Sequence, residues 1–341
     1  MGAAVGATKE TVTVEVAGRE LVISSPHKVF FDQRAETKLD LVHYYLAAGE
    51  AVMRQMGGRP VLMQRFPNGA SGSSFFQKRV GEHAPDWLQT TVVSTPNGTT
   101  SDALVIADLA HLVWAVNLGC LGFHSWPYRA ATPQWCDELR IDLDPGPGTT
   151  FAMAQETAAL TKTLFDERGI RSFIKTTGNR GLHVYVRLAP GFDSIQVRAA
   201  AVAVARELER RRPDLVTASW WKEERGARIF IDFNQNAPHK TVFSPWSVRA
   251  HPWAPVSCPF EWADLATIVP TELTIVSVPQ RLAAHSDPWA TIDDEPQSLD
   301  PLLEMVRADQ AAGLVDAPWP PVYPKMAGEP RRVAPSRAKK P

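Results

Sequence analysis

Residues 138–146 read ELRIDLDPG. Leu139, Ile141 and Leu143 alternate with Arg140, Asp142 and Asp144, a period of two that predicts a β-strand with one apolar and one charged face. Carboxylates two residues apart on one strand face repel, and each raises the pKa of the other. Such a strand has either solvent or a cation opposite its charged side.

The flanking pattern is regular. FAMAQETAALTKTLFDERG predicts an amphipathic helix capped by Thr149 or Thr150 and ended by Gly169. RSFIKTT and LHVYVRL read as strands around a GNRG turn, SIQVRAAAVAVARELERRR as a helix ended by Pro213, and RIFIDFN as a fourth strand. The order β-α-β-β-α-β is the ferredoxin-like, RRM-like arrangement of a mixed α/β fold. Its usual sheet order, 4-1-3-2, sets the strand of Asp142 and Asp144 between the strands bearing His183 and Asp232. Leu182, Val184 and Val186 face the core, with Ile229, Ile231 and Phe233, while His183, Tyr185, Arg187 and Asp232 face away. Three carboxylates and a histidine are then expected on one sheet face. Hard divalent cations prefer carboxylate oxygen, and three aspartates can hold two ions about 3.5–4 Å apart, the geometry of two-metal phosphoryl transfer.

TTGNRGLH adds an anion-binding candidate. Gly178 and Gly181 permit a tight turn with backbone N–H groups facing outward, Thr177 offers a hydroxyl and Arg180 a charge. Arg249, in SVRAH, supplies a further cation 17 residues after Asp232.

The totals exclude several classes. At 341 residues with 44% hydrophobic content, the chain can bury one large core or two modules. No apolar run reaches a membrane span, and MGAAVGATKE lacks the pattern of a signal peptide, so a cytoplasmic, nucleoid-associated location is expected. Cys120, Cys136 and Cys258 make no disulfide framework. Cys120, His124 and Cys136 lack the paired C-x-x-C spacing of a zinc set. Net charge is −1, unevenly spread: from Lys325 onward six cations face one anion, a Pro-rich tail of +5 expected to be disordered and available to nucleic acid.

Upstream, TVTVEVAGRELVISSP predicts two strands around a turn. Thr37 and Asp40 form a capping-box pattern opening a helix that Gly57 and Gly58 close. Residues 59–130 are strand-rich. The expected division is an N-terminal α/β module, 1–130, a catalytic module with its C-terminal extension, 131–315, and the tail, 316–341.

In combination, DLDPG, KTTGNRGLH, IFIDFNQN and SPWSVRAHPWAPVS resemble the polymerase domain of bacterial LigD, within the archaeo-eukaryotic primase superfamily. SSPHKVFF, TKLDLVHYY, RFPNGASGSSFFQKR and HAPDW extend the resemblance toward the N-terminus. PWPPVYPKMAGEPRRVAPSRAKK is similar to the end of stand-alone members of the Prim-PolC kind, and no Lys-x-Asp-Gly ligase motif is present. The resemblance implies roles residue by residue. Asp142, Asp144 and Asp232 would bind two Mn²⁺ (or Mg²⁺) ions and carry catalysis. Thr177, Arg180, His183 and Arg249 would hold the triphosphate of an NTP or dNTP, with His124 near them. Lys28 and Lys38 match a pocket for a DNA 5′-phosphate at a gap or break, and Phe75 and Phe76 an aromatic pair that stacks on the template. The implied activity is template-dependent nucleotide addition in DNA repair by a monomer, with a preference for ribonucleotides and with Ku or a DNA ligase as candidate partners. Three positions depart from the pattern: Thr177 replaces a serine, His251 an arginine and Gln64 a lysine. A His251 in contact with the triphosphate would weaken nucleotide affinity between about pH 6 and 8. Two other readings are a D-x-D nucleotidyl- or glycosyl-transferase, which leaves Lys28, Lys38 and the Phe pair unused, and a non-catalytic DNA-end binding module, which has no need of three clustered carboxylates.

Overall fold

The computed structural model describes residues 10–334 and Ser336. The segment read for a signal peptide lies outside them, apart from Glu10, as do Arg337, Lys339 and Lys340 of the tail.

Two sheets organise the chain. The first runs Val216–Thr217, Ile229–Ile231, Glu138–Pro145, Leu182–Arg187, Phe173–Thr176, Pro259–Phe260. Its middle four strands follow the expected 4-1-3-2 order, all antiparallel. The outer strands are two residues long and too short for a sequence period to announce. Helices Phe151–Glu167 and Ser194–Arg211 pack against this sheet. Thr150 caps the first, accepting from Met153 N, and Asp193 caps the second in a capping box with Gln196. Leu139, Ile141 and Leu143 are buried beneath them, as the alternation predicts.

The second sheet runs Val242–Phe243, Cys120–Ser125, Pro60–Arg65, Thr100–Val105, Thr90–Ser94, with Phe75–Gln77 paired to Pro60–Arg65. One apolar core spans both sheets. The strand Val242–Phe243 returns from the C-terminal half of the chain to pair with Cys120–Ser125, so the two halves interleave.

The far side of the first sheet is not open to water along its length. Arg140, Tyr185 and Arg187 are buried there. Arg140 donates to Ser125 O and Trp126 O of the second sheet, and Glu138 sits among Arg59, Arg140 and Arg187. Burial pushes the Glu138 carboxyl up, and those three guanidinium groups outweigh it and hold the carboxyl below its ordinary range.

The long helix expected after Thr37 is interrupted. Helix Lys38–Ala47 has the capping box, but the chain turns at Ala48 and resumes as Gly49–Met56. At Gly49 a Cβ would stand 2.8 Å from Leu109 Cδ2, so the second segment starts where the chain runs close under the Leu109 side chain. Ahead of the basic end, the C-terminal segment is anchored: Trp319 and Tyr323 are buried against Ala237, and Arg332, within the basic stretch, forks onto Glu329. Aromatic anchors spaced among the prolines supply the apolar burial that a purely basic tail lacks.

Candidate active site

The strand Glu138–Pro145 positions the first two carboxylates. Asp142 lies opposite His183 in the ladder, and His183 Nε2 stands 3.2 Å from Asp142 Oδ1. Asp144, one side-chain repeat further, is exposed at the strand end. The strand that leads to Asp232 stops at Ile231, three residues before the end of the RIFIDFN alternation. Asp232 caps a short 3₁₀ turn, Phe233–Asn236. Its Oδ1 accepts from Asn234 N at 3.1 Å and its Oδ2 from Gln235 Nε2 at 2.9 Å. Its backbone N donates to Asp142 O at 3.0 Å, which ties the third carboxylate to the strand of the first two.

The three are electrostatically coupled. Burial pushes Asp142 up to about 6. Burial, then the Asp142 charge, pushes Asp232 up to about 7. Asp144, exposed at its tip but partly desolvated by the residues around its base, is raised by that desolvation and then by the Asp142 charge. Among the described residues no three His, Cys, Asp or Glu side chains stand close enough to hold an ion as they are oriented; this holds for the aspartates and for Cys120, His124 and Cys136 alike. The aspartates nonetheless fit a hard divalent cation by donor chemistry: all are carboxylates, and each is destabilised in its charged form by what surrounds it.

Beside them stands the Thr177–Gly181 turn. Gly178 has φ +71°. A Cβ on Gly181 would lie 2.7 Å from Leu143 O, so only glycine lets the turn rest against the carboxylate strand. Thr177 Oγ1 accepts from Asn179 N and Gly181 N, both at 3.2 Å, which leaves its own proton free to donate outward. Arg249 Nε donates to Thr177 O at 2.9 Å, and its guanidinium lies 3.5 Å from the centroid of the Phe243 ring. A pocket of about 150 Å³ is lined by Asp142, Asp144, Thr177, Asn179, Arg180, His183 and Arg249. A larger cavity, about 810 Å³, opens by Pro259–Phe260 and helix Ser277–Ala284. No turn of this kind adjoins it, so size does not locate the chemistry.

Three histidines near the site are pushed below their ordinary value. His183 is pushed well below its ordinary value by burial and by Lys175, Arg249 and Arg140. His124 is pushed down to about 3 by burial and by Arg249 and Lys175. It sits edge-on between Phe76 at 5.5 Å and Phe243 at 5.1 Å, which links the aromatic pair to Arg249. His251 stacks on Trp253, with its pKa lowered by burial and Arg249.

The remaining candidates lie on the second sheet and the helix that abuts it. Phe75 and Phe76 are 47% and 58% exposed on a three-residue edge strand, so they are not core residues. Lys38 is the first residue of its helix. Its Nζ donates to Ser24 O and to Asn117 O at 3.1 Å, and Lys28 Nζ donates to Pro67 O at 2.7 Å and Asn68 Oδ1 at 2.9 Å. All these acceptors are neutral. Burial and the nearby Lys28 lower Lys38 to about 8.

Residue patterns did not single out Lys175, Asn234, Gln235 or Asn236. Lys175 is buried opposite His183 and donates to Ser257 Oγ at 2.6 Å. Asn236 accepts from Arg140 N at 3.0 Å and donates to Arg140 O at 2.7 Å. A polar run, NQN, directly after a buried strand was the available signal for the last three.

Carboxylates beside a glycine turn with a hydroxyl and two arginines suit one class by their chemistry, the metal-dependent phosphoryl-transfer enzymes. The model of the LigD primase-polymerase domain matches residues 37–289. The multifunctional non-homologous end joining protein LigD of Mycolicibacterium smegmatis is 30% identical over 91% of this chain and 41% of its own length. The bifunctional LigD of Bacillus subtilis is 30% identical over 82% of this chain and 45% of its own. A solved polymerase domain of Mycobacterium tuberculosis Ligase D in complex with DNA superposes with a TM-score of 0.73 at 30% identity, covering 80% of this chain and 97% of that one. This chain belongs to the LigD primase-polymerase domain family, whose members are nucleotidyltransferases. It spans about two fifths of the length of the mycobacterial relatives. The family's polymerase activity implies a divalent metal. No helix among the described residues is long and apolar enough to cross a membrane.

Proposed function

We propose that this chain is a template-dependent primase-polymerase that adds nucleotides, ribonucleotides in preference, to a primer 3′-hydroxyl at short gaps or breaks during DNA repair. The observation that carries the reading is the 150 Å³ pocket in which Asp142 and Asp144 meet the Thr177–Gly181 turn and Arg249, with Asp232 tied to the strand of the first two through its backbone N–H to Asp142 O. Asp142, Asp144 and Asp232 would hold Mn²⁺ or Mg²⁺. Bound divalent ions lower the pKa of the attacking hydroxyl and neutralise the triphosphate. His183, neutral, stands with Nε2 3.2 Å from Asp142 Oδ1 and holds that carboxylate in place. Arg249 and Arg180 meet the triphosphate as charged donors and Thr177 as a hydroxyl donor. His124, wedged between Phe76 and Phe243, fixes the wall between the nucleotide and the template.

Residues 1–130 would carry the DNA contacts and 131–315 the chemistry. Lys28 and Lys38, two cations with only neutral partners at a helix N-terminus, form a fitting receptor for a terminal 5′-phosphate. Phe75 and Phe76 offer exposed rings for a template base. The matched relatives are named as end-joining proteins, which supports a place in end joining with Ku or a ligase as partner. The test is primer extension on a short gapped duplex, with and without a 5′-phosphate, comparing NTP with dNTP and Mn²⁺ with Mg²⁺. No incorporation under any combination would leave only a DNA-end binder.

A further inference from the structure

Residues 316–334 lie beyond the span of the family match. They pack against the back of the turn that Asp232 caps. The joint is Arg198, on helix Ser194–Arg211, which is 1% exposed. Its Nε donates to Asn234 Oδ1 at 2.8 Å. Its Nη1 donates to Asp316 Oδ1 at 2.9 Å and its Nη2 to Ala317 O at 2.9 Å. Its guanidinium lies 3.9 Å from the Trp319 ring centroid. Asn234 Nδ2 in turn donates to Pro318 O at 3.0 Å. One buried cation therefore grips the turn with one edge and the C-terminal strap with the rest.

The strap is itself held. Trp319 Nε1 donates to Asp316 Oδ2 at 2.7 Å and Trp319 N to Glu329 Oε1 at 2.8 Å. The Tyr323 hydroxyl donates to Pro238 O, just past the turn. The turn thus has two clamps. Asn236 binds it to the backbone of Arg140, on the strand of Asp142 and Asp144. Asn234 binds it to Arg198 and the strap. Between the clamps, Asn234 N is the donor that aims Asp232 Oδ1.

We propose that Arg198 and the strap 316–334 act as a positioning device for Asp232, setting the affinity of the site for its divalent cation. A donor that orients a ligating carboxylate typically changes metal affinity 10–100-fold when removed. The inference rests on the reading of Asp232 as a metal-binding residue, and the experiment separates the two.

The experiment is a double-mutant cycle on the full chain, read as binding of Mn²⁺ alone by the loss of the free-ion electron paramagnetic resonance signal. The four proteins are the wild type, Trp319→Ala, Asp232→Asn and the pair combined. A merely structural role for Trp319 would lower the melting temperature and act alike in both backgrounds, whereas action through Asp232 makes the two changes non-additive. The expected result is about a tenfold loss of Mn²⁺ affinity for Trp319→Ala in the wild-type background, with no further loss beside Asp232→Asn. Should Trp319→Ala fail to fold, the near-isosteric Asp316→Asn takes its place in the same cycle. Wild-type Mn²⁺ affinity in the strap variant, or an equal factor lost in both backgrounds, overturns the positioning role. Wild-type Mn²⁺ affinity in Asp232→Asn itself overturns instead the metal-binding reading on which it rests.

Discussion

Asp142 and Asp232 carry a cost that function explains. Their folded-state values, about 6 and about 7, lie above the ordinary carboxylate value. A raised acid contributes stability below its unfolded pKa and loses it as pH rises through the folded one. Metal-free protein is therefore expected to melt lower at pH 7.5 than at pH 5. Asp232→Asn should remove part of that slope, raise stability at pH 7.5 by roughly 1–3 kcal/mol, and abolish nucleotide incorporation. Melting curves in EDTA at the two pH values, with an extension assay beside them, check this; an unchanged slope would count against the burial argument. Arg249 sits at the same scale. Its removal should raise the nucleotide KM by about 10–100-fold, the worth of a charge-assisted bond of about 1.5–3 kcal/mol. His251 is different. The arginine it replaces suggested a pH-dependent contact, but burial and Arg249 push its pKa down, so the ring is neutral at pH 7 already. The nucleotide KM is expected to stay flat from pH 7 to 8, and a steady rise over that range would restore His251 as a phosphate contact.

At the scale of elements, the N-terminus of helix Lys38–Ala47 and the edge strand Phe75–Gln77 make separable predictions. Lys28→Ala with Lys38→Ala should weaken binding to 5′-phosphorylated gaps strongly and to 5′-hydroxyl gaps little. Phe75→Ala with Phe76→Ala should weaken both by the same factor, since stacking, about 1–3 kcal/mol per base, does not sense the phosphate. Titrations at one fixed salt concentration decide it. Equal losses on both duplexes for the lysine pair would reduce these residues to a general backbone track. Lys38 adds a pH signature. With its pKa near 8, preference for the 5′-phosphate should decline from pH 7 to 9, and Lys38→Ala should abolish that decline. Binding that keeps its phosphate preference unchanged at pH 9 would remove Lys38 from the pocket.

Across the whole molecule, two sheets share one core, and the strand Val242–Phe243 crosses from one half of the chain to the sheet of the other. The buried ions at their junction reinforce this. Arg59, fully buried, holds Asp137 and Glu138 at 2.6 and 2.8 Å. Removing one partner of a buried pair leaves an uncompensated charge and costs about 3–5 kcal/mol. Arg59→Met should therefore lower the melting temperature sharply while the wild type unfolds in a single calorimetric transition. Two resolved transitions in the wild type would show that the halves fold separately.

What the sequence determined by itself is local. The period of two in ELRIDLDPG placed Asp142 and Asp144 on one face, and the helix caps at Thr37 and at Thr149 or Thr150 are written in residues a few apart, with the structure choosing Thr150. Alternation, capping and turn chemistry depend only on near neighbours, so the order of elements and the middle of the first sheet could be read directly. The tertiary structure alone decided that the charged face of that strand is dry at Arg140 and open at Asp144, and that a two-residue strand from position 242 closes the second sheet. It also decided that Asp232 leaves its strand for a turn held by Arg198 and the C-terminal strap. Each of these depends on partners tens to more than a hundred residues away. Burial, desolvation and ion pairing are properties of what packs opposite a residue, and no local pattern in the chain encodes that neighbour.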